Sequence, residues 1–182
     1  MTRNEAYEIL TEHMKKPNLI KHSLALEATM KHFAKLAGED VDYWGNVGLL
    51  HDIDYEEYPE EHCHKYHEIL QDKVDDDFYH AIESHGYGIC NDIEPKNLME
   101  KILLTTDQLT GFITACAMVN PEKKLSEVKL KSMKKKWKTT SFAGGTQRDR
   151  IEHWTAEMGY DLDYMLEQTL IAMQGISDEL GL

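Results

Sequence analysis

The sequence predicts an all-α protein folded as a single domain, residues 1–182. Apolar residues recur three or four positions apart through most of the chain, which is the spacing of one helix face. No segment of five or more residues alternates apolar and polar side chains as a half-buried strand would. No linker, repeat or low-complexity tract divides the 182 residues, so we expect one hydrophobic core.

In the N-terminal half, capping and helix-breaking residues mark the predicted boundaries. The first helix stops before Pro17, and Asn18 is the predicted N-cap of the second helix, which Gly38 ends. Asp42 begins a short third helix, and a loop at residues 55–59 precedes the fourth. The helices predicted here cover residues 3–14, 18–37, 42–50, 60–71 and 75–85.

In the C-terminal half, a long central helix is predicted to end at Asn120-Pro121, since proline cannot continue it. Its nearly uncharged run, residues 102–119, is too short and too polar for a membrane span and indicates a buried helix. A loop is expected at residues 141–145. The helices predicted for this half cover residues 97–119, 126–136, 147–159 and 161–180.

Composition excludes several classes of protein. Thirty-three acidic and 20 basic residues give a net charge of −13, which argues against nonspecific nucleic-acid binding. Three cysteines without a Cys-x-x-Cys pair favour a reducing compartment over a disulfide framework. The N-terminus lacks the hydrophobic segment of a signal peptide. We therefore expect a cytoplasmic protein without a membrane segment, and the oligomeric state stays open.

The pair His51-Asp52 follows the apolar run Val47–Leu50 and is the strongest chemical signal in the chain. Imidazole and carboxylate are both good ligands for a divalent metal. On the second helix, His22 shares a face with apolar residues, although a lone histidine there is often a half-buried residue that bonds to backbone.

Asp107 lies alone in an apolar stretch of the long helix. Its helical neighbours are Leu103, Leu104, Thr110 and Gly111. A carboxylate in such surroundings costs several kcal/mol, on the order of 3–5, unless it is paired or binds a cation. A hydrogen bond to Thr110 or a buried Lys or Arg is the simpler explanation, and a metal ion compensates the same cost more fully.

The order His22, His51-Asp52, Asp107 resembles that of the HD superfamily of metal-dependent phosphohydrolases, and the resemblance covers about residues 20–115. It implies an all-helical fold in which these four side chains hold a divalent metal, with a C-terminal extension at about residues 122–182. The stretches 51–62 and 107–113, the Lys-rich segment 130–138 and the loop 141–145 are similar to those of an uncharacterised bacterial subgroup. His62 and His85 have the position of extra ligands in those members that hold two metals, with Asp52 bridging.

This resemblance implies a phosphoester substrate, and one or two ions of Fe, Mn, Ni, Co, Zn or Mg. A divalent ion lowers the pKa of bound water toward neutrality and polarises a phosphoryl oxygen. Asp52 is then catalytic through the metal, and Asp54 is predicted to orient the water or protonate the leaving oxygen. For Asp54, and for Glu56 and Glu57 beside it, the alternative is a solvated acidic loop.

From Glu122 to Lys138 there are eight lysines and two glutamates, in a chain that is acidic as a whole. We predict that part of this segment binds an anionic substrate, because lysines supply compact positive charges. The alternative is the solvated face of an amphipathic helix. The residues predicted to bind substrate are Lys131, Lys134 and Lys135.

Two other classes of function stay open at this point. One is a non-catalytic, HD-type regulatory module that binds a nucleotide or metabolite without turnover. The other is a metal-free helical interaction protein in which His22, His51 and Asp107 are packed polar residues. Metal analysis and an assay for turnover distinguish the three.

Overall fold

The computed structural model describes all residues, 1–182, and confirms the all-α fold. No sheet is present, and one isolated bridge joins Tyr87 to Asn91. Short 3-10 turns lie at Pro59–Glu61, Gln71–Lys73 and Leu125–Glu127. The helices are α1 (Arg3–His13), α2 (Pro17–Ala37), α3 (Val41–Leu50), α4 (Tyr66–Leu70), α5 (Asp76–His85), α6 (Leu98–Met118), α7 (Leu130–Trp137), α8 (Arg148–Glu157), α9 (Leu162–Gln174) and α10 (Ser177–Leu180).

Five of the ten α-helices begin where a short polar side chain accepts a hydrogen bond from the first turn. Asp40 caps α3, Asp75 caps α5, Asn97 caps α6 and Asp161 caps α9, each through a backbone N–H of the first turn. The prediction that Asn18 caps α2 is wrong. The helix begins one residue earlier, at Pro17, because proline has no N–H to satisfy in the first turn.

The predicted helix over residues 60–71 is largely replaced by turns. Only α4 is α-helical there, and Cys63 has a φ of 65°, which a right-handed helix excludes. The amides of His64 and Lys65 donate to the carboxylate of Asp54, and that of His64 also donates to the carbonyl of Glu61 in the preceding 3-10 turn. The segment is therefore shaped by a buried side chain that sequence periodicity does not reveal.

Two C-terminal helices are also shorter than predicted. The segment 126–136 divides into a 3-10 turn and α7, which starts only at Leu130. The segment 161–180 divides at Gly175 into α9 and α10. Both breaks leave the amphipathic faces packed on the same side, so periodicity alone does not locate them.

One hydrophobic core extends through the whole chain. Its 38 buried residues form a continuous cluster from Ala6 to Leu180, so the C-terminal helices belong to the same core as the N-terminal ones. Helix α2 packs on α3, α6 and α9. Gly48 allows the close approach of α3 to α2, because a Cβ there would lie 2.8 Å from the carbonyl oxygen of Leu26. No helix in the structure has the length and apolar character needed to cross a membrane.

Candidate metal centre

Six side chains predicted as metal ligands come together where α2, α3, α5 and α6 meet. His22 lies on α2, His51 and Asp52 follow α3, and Asp107 lies on α6. The last residue of α5 is His85, and His62 lies in the turn before α4. The long helices bring together residues far apart in the chain, and their packing fixes where the ligands point.

Four donor atoms form the first group. The Nε2 of His22 lies 2.9 Å from Oδ1 of Asp107 and 3.2 Å from Nε2 of His51. The Nε2 of His51 lies 3.2 Å from Oδ2 of Asp52 and 3.6 Å from Oδ1 of Asp107. Ligands about 2.0–2.2 Å from one ion are separated from each other by about 3.0–3.5 Å. The donors of His22, His51 and Asp107 all lie within 4.8 Å of one another and have the dimensions of a single metal site, with Asp52 Oδ2 beside them.

Asp52 also belongs to a second group through its other oxygen. Its Oδ1 lies 3.3 Å from Nε2 of His62 and 3.3 Å from Nε2 of His85, whereas its Oδ2 faces His22 and His51. One carboxylate thus presents one oxygen to each set of imidazoles. His51, Asp52 and His85 also form a set whose ligand atoms lie within 4.8 Å of one another, so Asp52 belongs to both groups of donors.

The Nδ1 atoms of these histidines are held by the protein, which directs each Nε2 to the centre. The Nδ1 of His51 bonds to the carbonyl of Gly48 at 2.8 Å, and that of His85 bonds to the carbonyl of Ile82. The carboxylate of Asp54 holds the Nδ1 of His62 at 2.8 Å. Such partners fix the ring orientation and the tautomer in which Nε2 carries the free lone pair.

The Nδ1 of the fourth histidine, His22, has a longer contact, with the hydroxyl group of Thr110. Thr110 donates its hydroxyl hydrogen to the carbonyl of Asp107 at 2.7 Å, and its oxygen lies 3.4 Å from Nδ1 of His22. The hydroxyl oxygen is then oriented to accept from that nitrogen. Thr110 therefore orients His22, whereas the sequence had suggested it as a partner for the Asp107 carboxylate.

Asp54 orients one of the candidate ligands. It is fully buried; Oδ1 accepts from His62, and Oδ2 accepts from the amides of His64 and Lys65 at 3.2 and 3.0 Å. Burial acts to raise its pKa, but His62 and the amides hold the pKa below the ordinary value. A buried carboxylate with both oxygens occupied orients His62, and the predicted action of Asp54 on the water or the leaving oxygen stays a prediction.

The acidic residues after Asp54 also lie away from the centre. Glu56 accepts from the backbone amides of Lys15 and Lys16, and Glu57 contacts His13. Both carboxylates therefore brace the loop against the end of α1.

The charge balance of the centre favours a bound cation. Burial acts to lower the pKa of His51, but Asp52 and Asp107 raise it to about 10. Burial likewise acts to raise the pKa of Asp52 and Asp107, but the histidines hold both well below the usual range. Two carboxylates thus draw a proton onto a fully buried imidazole. A divalent cation supplies the same compensation while the imidazoles stay neutral, so this donor set fits a metal.

Two thiols that the sequence did not point to lie beside the second group. Cys63 and Cys90, together with His62, form a further set whose ligand atoms lie within 4.8 Å of one another. Burial raises the pKa of the Cys63 thiol. Its Sγ lies 3.9 Å from Nε2 of His85. The spacing of the two cysteines in the sequence matches no metal motif, so only the fold reveals this proximity.

An arginine contacts the main chain of one of the candidate ligands. Arg150 of α8 donates from Nη2 to the carbonyl of His85 at 2.7 Å, and its Nε is buried without a partner. Burial lowers its pKa, and the charge of Asp107 acts in the opposite direction. The sequence places Arg150 near the lysine-rich segment as a further positive charge, but only the fold brings it to the main chain of His85.

The lysines predicted to bind substrate are on α7, whose buried residues Met133 and Trp137 face the core. Lys134 pairs with Asp163 of α9. None of the three lines either cavity beside His22. Their role in substrate binding stays a prediction. The residues concerned, Lys131, Lys134 and Lys135, are all exposed.

Two cavities open beside the centre, and His22 and Gly111 line both of them. The loop cavity, of about 410 Å³, is bounded by Asp107, Gln108, Phe112 and the loop 143–146. The tail cavity, of about 420 Å³, lies on the other side of Gly111. It is bounded by Asn18, Lys21, Ala25, Thr110, Thr114, Met118 and the C-terminal residues 180–182.

Comparison with known proteins identifies no relative: no protein-family model, no curated protein and no solved structure matches this chain. The interpretation of the centre therefore depends on its donor atoms, their spacing and their charge.

Proposed function

We propose that this protein is a metal-dependent phosphohydrolase that cleaves a small phosphoester with water. The observation that supports this most is the division of the Asp52 oxygens between two sets of imidazoles. Sites of this type hold two cations about 3.5–4 Å apart and serve phosphoester hydrolysis, where attacking and leaving oxygens both need compensation. The HD-type resemblance of the sequence supports the same class.

In this proposal His22, His51 and Asp107 hold one ion, His62 and His85 hold the other, and Asp52 is shared. A bound divalent cation supplies Lewis acidity, which activates water and polarises the phosphoryl oxygen. Imidazole and carboxylate ligands suit Fe, Mn, Ni, Co and Zn, and the donor types do not choose among them.

The remaining residues bind and orient. Arg150 contacts the carbonyl of His85 and so brings a fixed positive charge close to the centre, where it would attract a phosphate oxygen. In the loop cavity, the N–H groups of Ala143, Gly144 and Gly145 donate to no acceptor in the protein. Adjacent free amides of this kind form an anion-binding concavity. Both features suit a phosphate better than a neutral substrate.

The proposal is tested first by metal analysis of protein purified without chelator, using elemental analysis and anomalous scattering. Protein loaded with Mn, Co, Ni, Mg or Zn is then assayed for phosphate release from nucleotides, sugar phosphates and cyclic dinucleotides. We expect Asp52→Asn to lose both ions and all turnover. The same change at the exposed Asp42 is the matched control and should lose neither.

Each contrary result has a definite meaning. Absence of any ion at these side chains, even after soaking, would show a metal-free helical protein. Metal with tight nucleotide binding and no turnover across the panel would show a regulatory binding module. Turnover that survives in Asp52→Asn would place the chemistry elsewhere.

A further inference from the structure

Gly111 has no packing reason to be glycine. It lies inside α6, where glycine is about 0.5–1 kcal/mol less favourable than alanine. A Cβ added there would meet nothing within 4 Å, and its φ is not positive. Gly48 shows the contrast, because a Cβ there would meet the backbone of α2 at 2.8 Å. The helix therefore carries a glycine that neither its backbone nor its neighbours require.

The location of Gly111 supplies a reason. It is four residues after Asp107 and so occupies the same face of α6. It also lines both the loop cavity and the tail cavity. A side chain at this position would stand between the two cavities and next to the ligands. Without one, a ligand can extend from the loop cavity into the tail cavity past His22, which lines both.

The two cavities differ in chemistry. The loop cavity is lined by residues 143–145, whose amides have no acceptor in the protein, and by the proposed metal ligand His22, so a metal and free amides would both attract a phosphate there. The tail cavity has apolar surfaces from Ala25, Met118 and Leu180, with Lys21 and Asn18 at its edge. Met118 is 48% exposed, so apolar surface is already presented to a ligand. The volume of the tail cavity, about 420 Å³, is in the range of cavities that hold small organic ligands.

We propose that Gly111 is a specificity-determining residue that lets a phosphomonoester lie across α6. The phosphate occupies the metal side, and an apolar organic group, such as a ring, occupies the tail cavity. This inference depends on the proposed function, since it assumes that phosphate binds at the centre. It adds the class of substrate: an organic phosphate with a bulky apolar group rather than a small polar phosphate.

The test uses two phosphonates, whose C–P bond resists hydrolysis, with manganese-loaded protein in calorimetry. We expect phenylphosphonate to bind the wild type about tenfold or more tightly than methylphosphonate, because the ring buries apolar surface. In Gly111→Leu this preference should disappear, while the manganese content stays that of the wild type. Gly111→Ala should raise the Tm by about 1–4 °C and lose only part of the preference.

Thr114→Leu fills the tail cavity from one turn further along α6. If Gly111→Leu does not fold, this second variant tests the inference, and it should also lose the preference for phenylphosphonate. Equal binding of the two phosphonates by the wild type, or an unchanged preference in the folded Leu variants, overturns the inference. If the wild type still releases phosphate in the assays above, the proposed function survives that result. If the wild type binds neither phosphonate and hydrolyses nothing, the proposed function and the inference both fail.

Discussion

Changing Asp54 to Asn tests how the protein builds the second half of the centre. Three donors converge on the carboxylate: Nδ1 of His62 on one oxygen, and the amides of His64 and Lys65 on the other. Asparagine has the same shape but replaces one oxygen by an NH2 group. Whichever way the amide is turned, the NH2 group faces a donor, and either His62 or the two backbone amides lose their acceptor.

The expected effects on stability and on metal affinity follow from the donors that lose their acceptor. Loss of a buried acceptor costs about 1–3 kcal/mol of folding free energy. Loss of the partner that orients a metal-binding histidine weakens metal affinity by about 10–100-fold. Because Asp54 contacts no residue of the group formed by His22, His51 and Asp107, affinity there should fall less, and only through Asp52, which both sites share.

Metal affinity is measured by competition with a chromophoric chelator, and stoichiometry by elemental analysis after dialysis. Glu56→Gln is the matched control, because it makes the same acid-to-amide change in the same loop on a half-buried side chain that contacts no histidine of the centre. We expect one ion retained in Asp54→Asn and both in Glu56→Gln. Two ions bound to Asp54→Asn with wild-type affinity would refute the reasoning. An equal loss of metal affinity at both sites would show that the effect of Asp54 is not confined to the site of His62 and His85.

The other predictions concern an ion pair and the lysines of α7. Burial acts to raise the pKa of Glu27, but Arg3 at 3.0 Å and Lys31 at 2.6 Å hold the pKa below its ordinary value. The pair therefore stabilises the fold above about pH 4.5, and this stabilisation is lost as the pH falls through the folded pKa. Glu27→Gln should lower the free energy of unfolding by about 1–2 kcal/mol near pH 7. In acid, the urea unfolding curves of the variant and the wild type should become the same. A difference in stability that persists at low pH would contradict this. For the lysines, charge removal should raise KM more than it lowers kcat at low ionic strength, and the effect should vanish near 0.15 M salt, where the Debye length is about 8 Å. The variants are Lys131→Gln, Lys134→Gln and Lys135→Gln. If kcat/KM at low salt is unchanged in all three, these lysines only form the solvated face of a surface helix.

The helices and the candidate ligands could be predicted from the sequence because their signals are local. Helical spacing of apolar residues and the caps at Asp75, Asn97 and Asp161 depend on residues within a few positions of one another. Asp107 was recognisable as a candidate because its own helical neighbours are nearly all uncharged. In such cases the physical cause and the sequence pattern occupy the same short stretch.

The turn before α4 could not be predicted because its cause is not local. The amides of His64 and Lys65 leave a helical conformation to satisfy Asp54, which lies in another turn and is buried only by the complete fold. Apolar periodicity does not report such a bond. For the same reason, the sequence assigned Asp54 to a solvated loop or to catalysis and not to the support of His62.

The sequence by itself determined that the chain is helical and which imidazoles and carboxylates are available, since residue type and spacing fix both. Tertiary structure alone decided how the two oxygens of Asp52 are divided, since this depends on where α2, α5 and α6 place their histidines. It also decided that Arg150, and not a residue of the lysine-rich helix, approaches the ligands. Coordination and electrostatic compensation act through distances of a few ångströms, and only the packing of distant segments sets those distances.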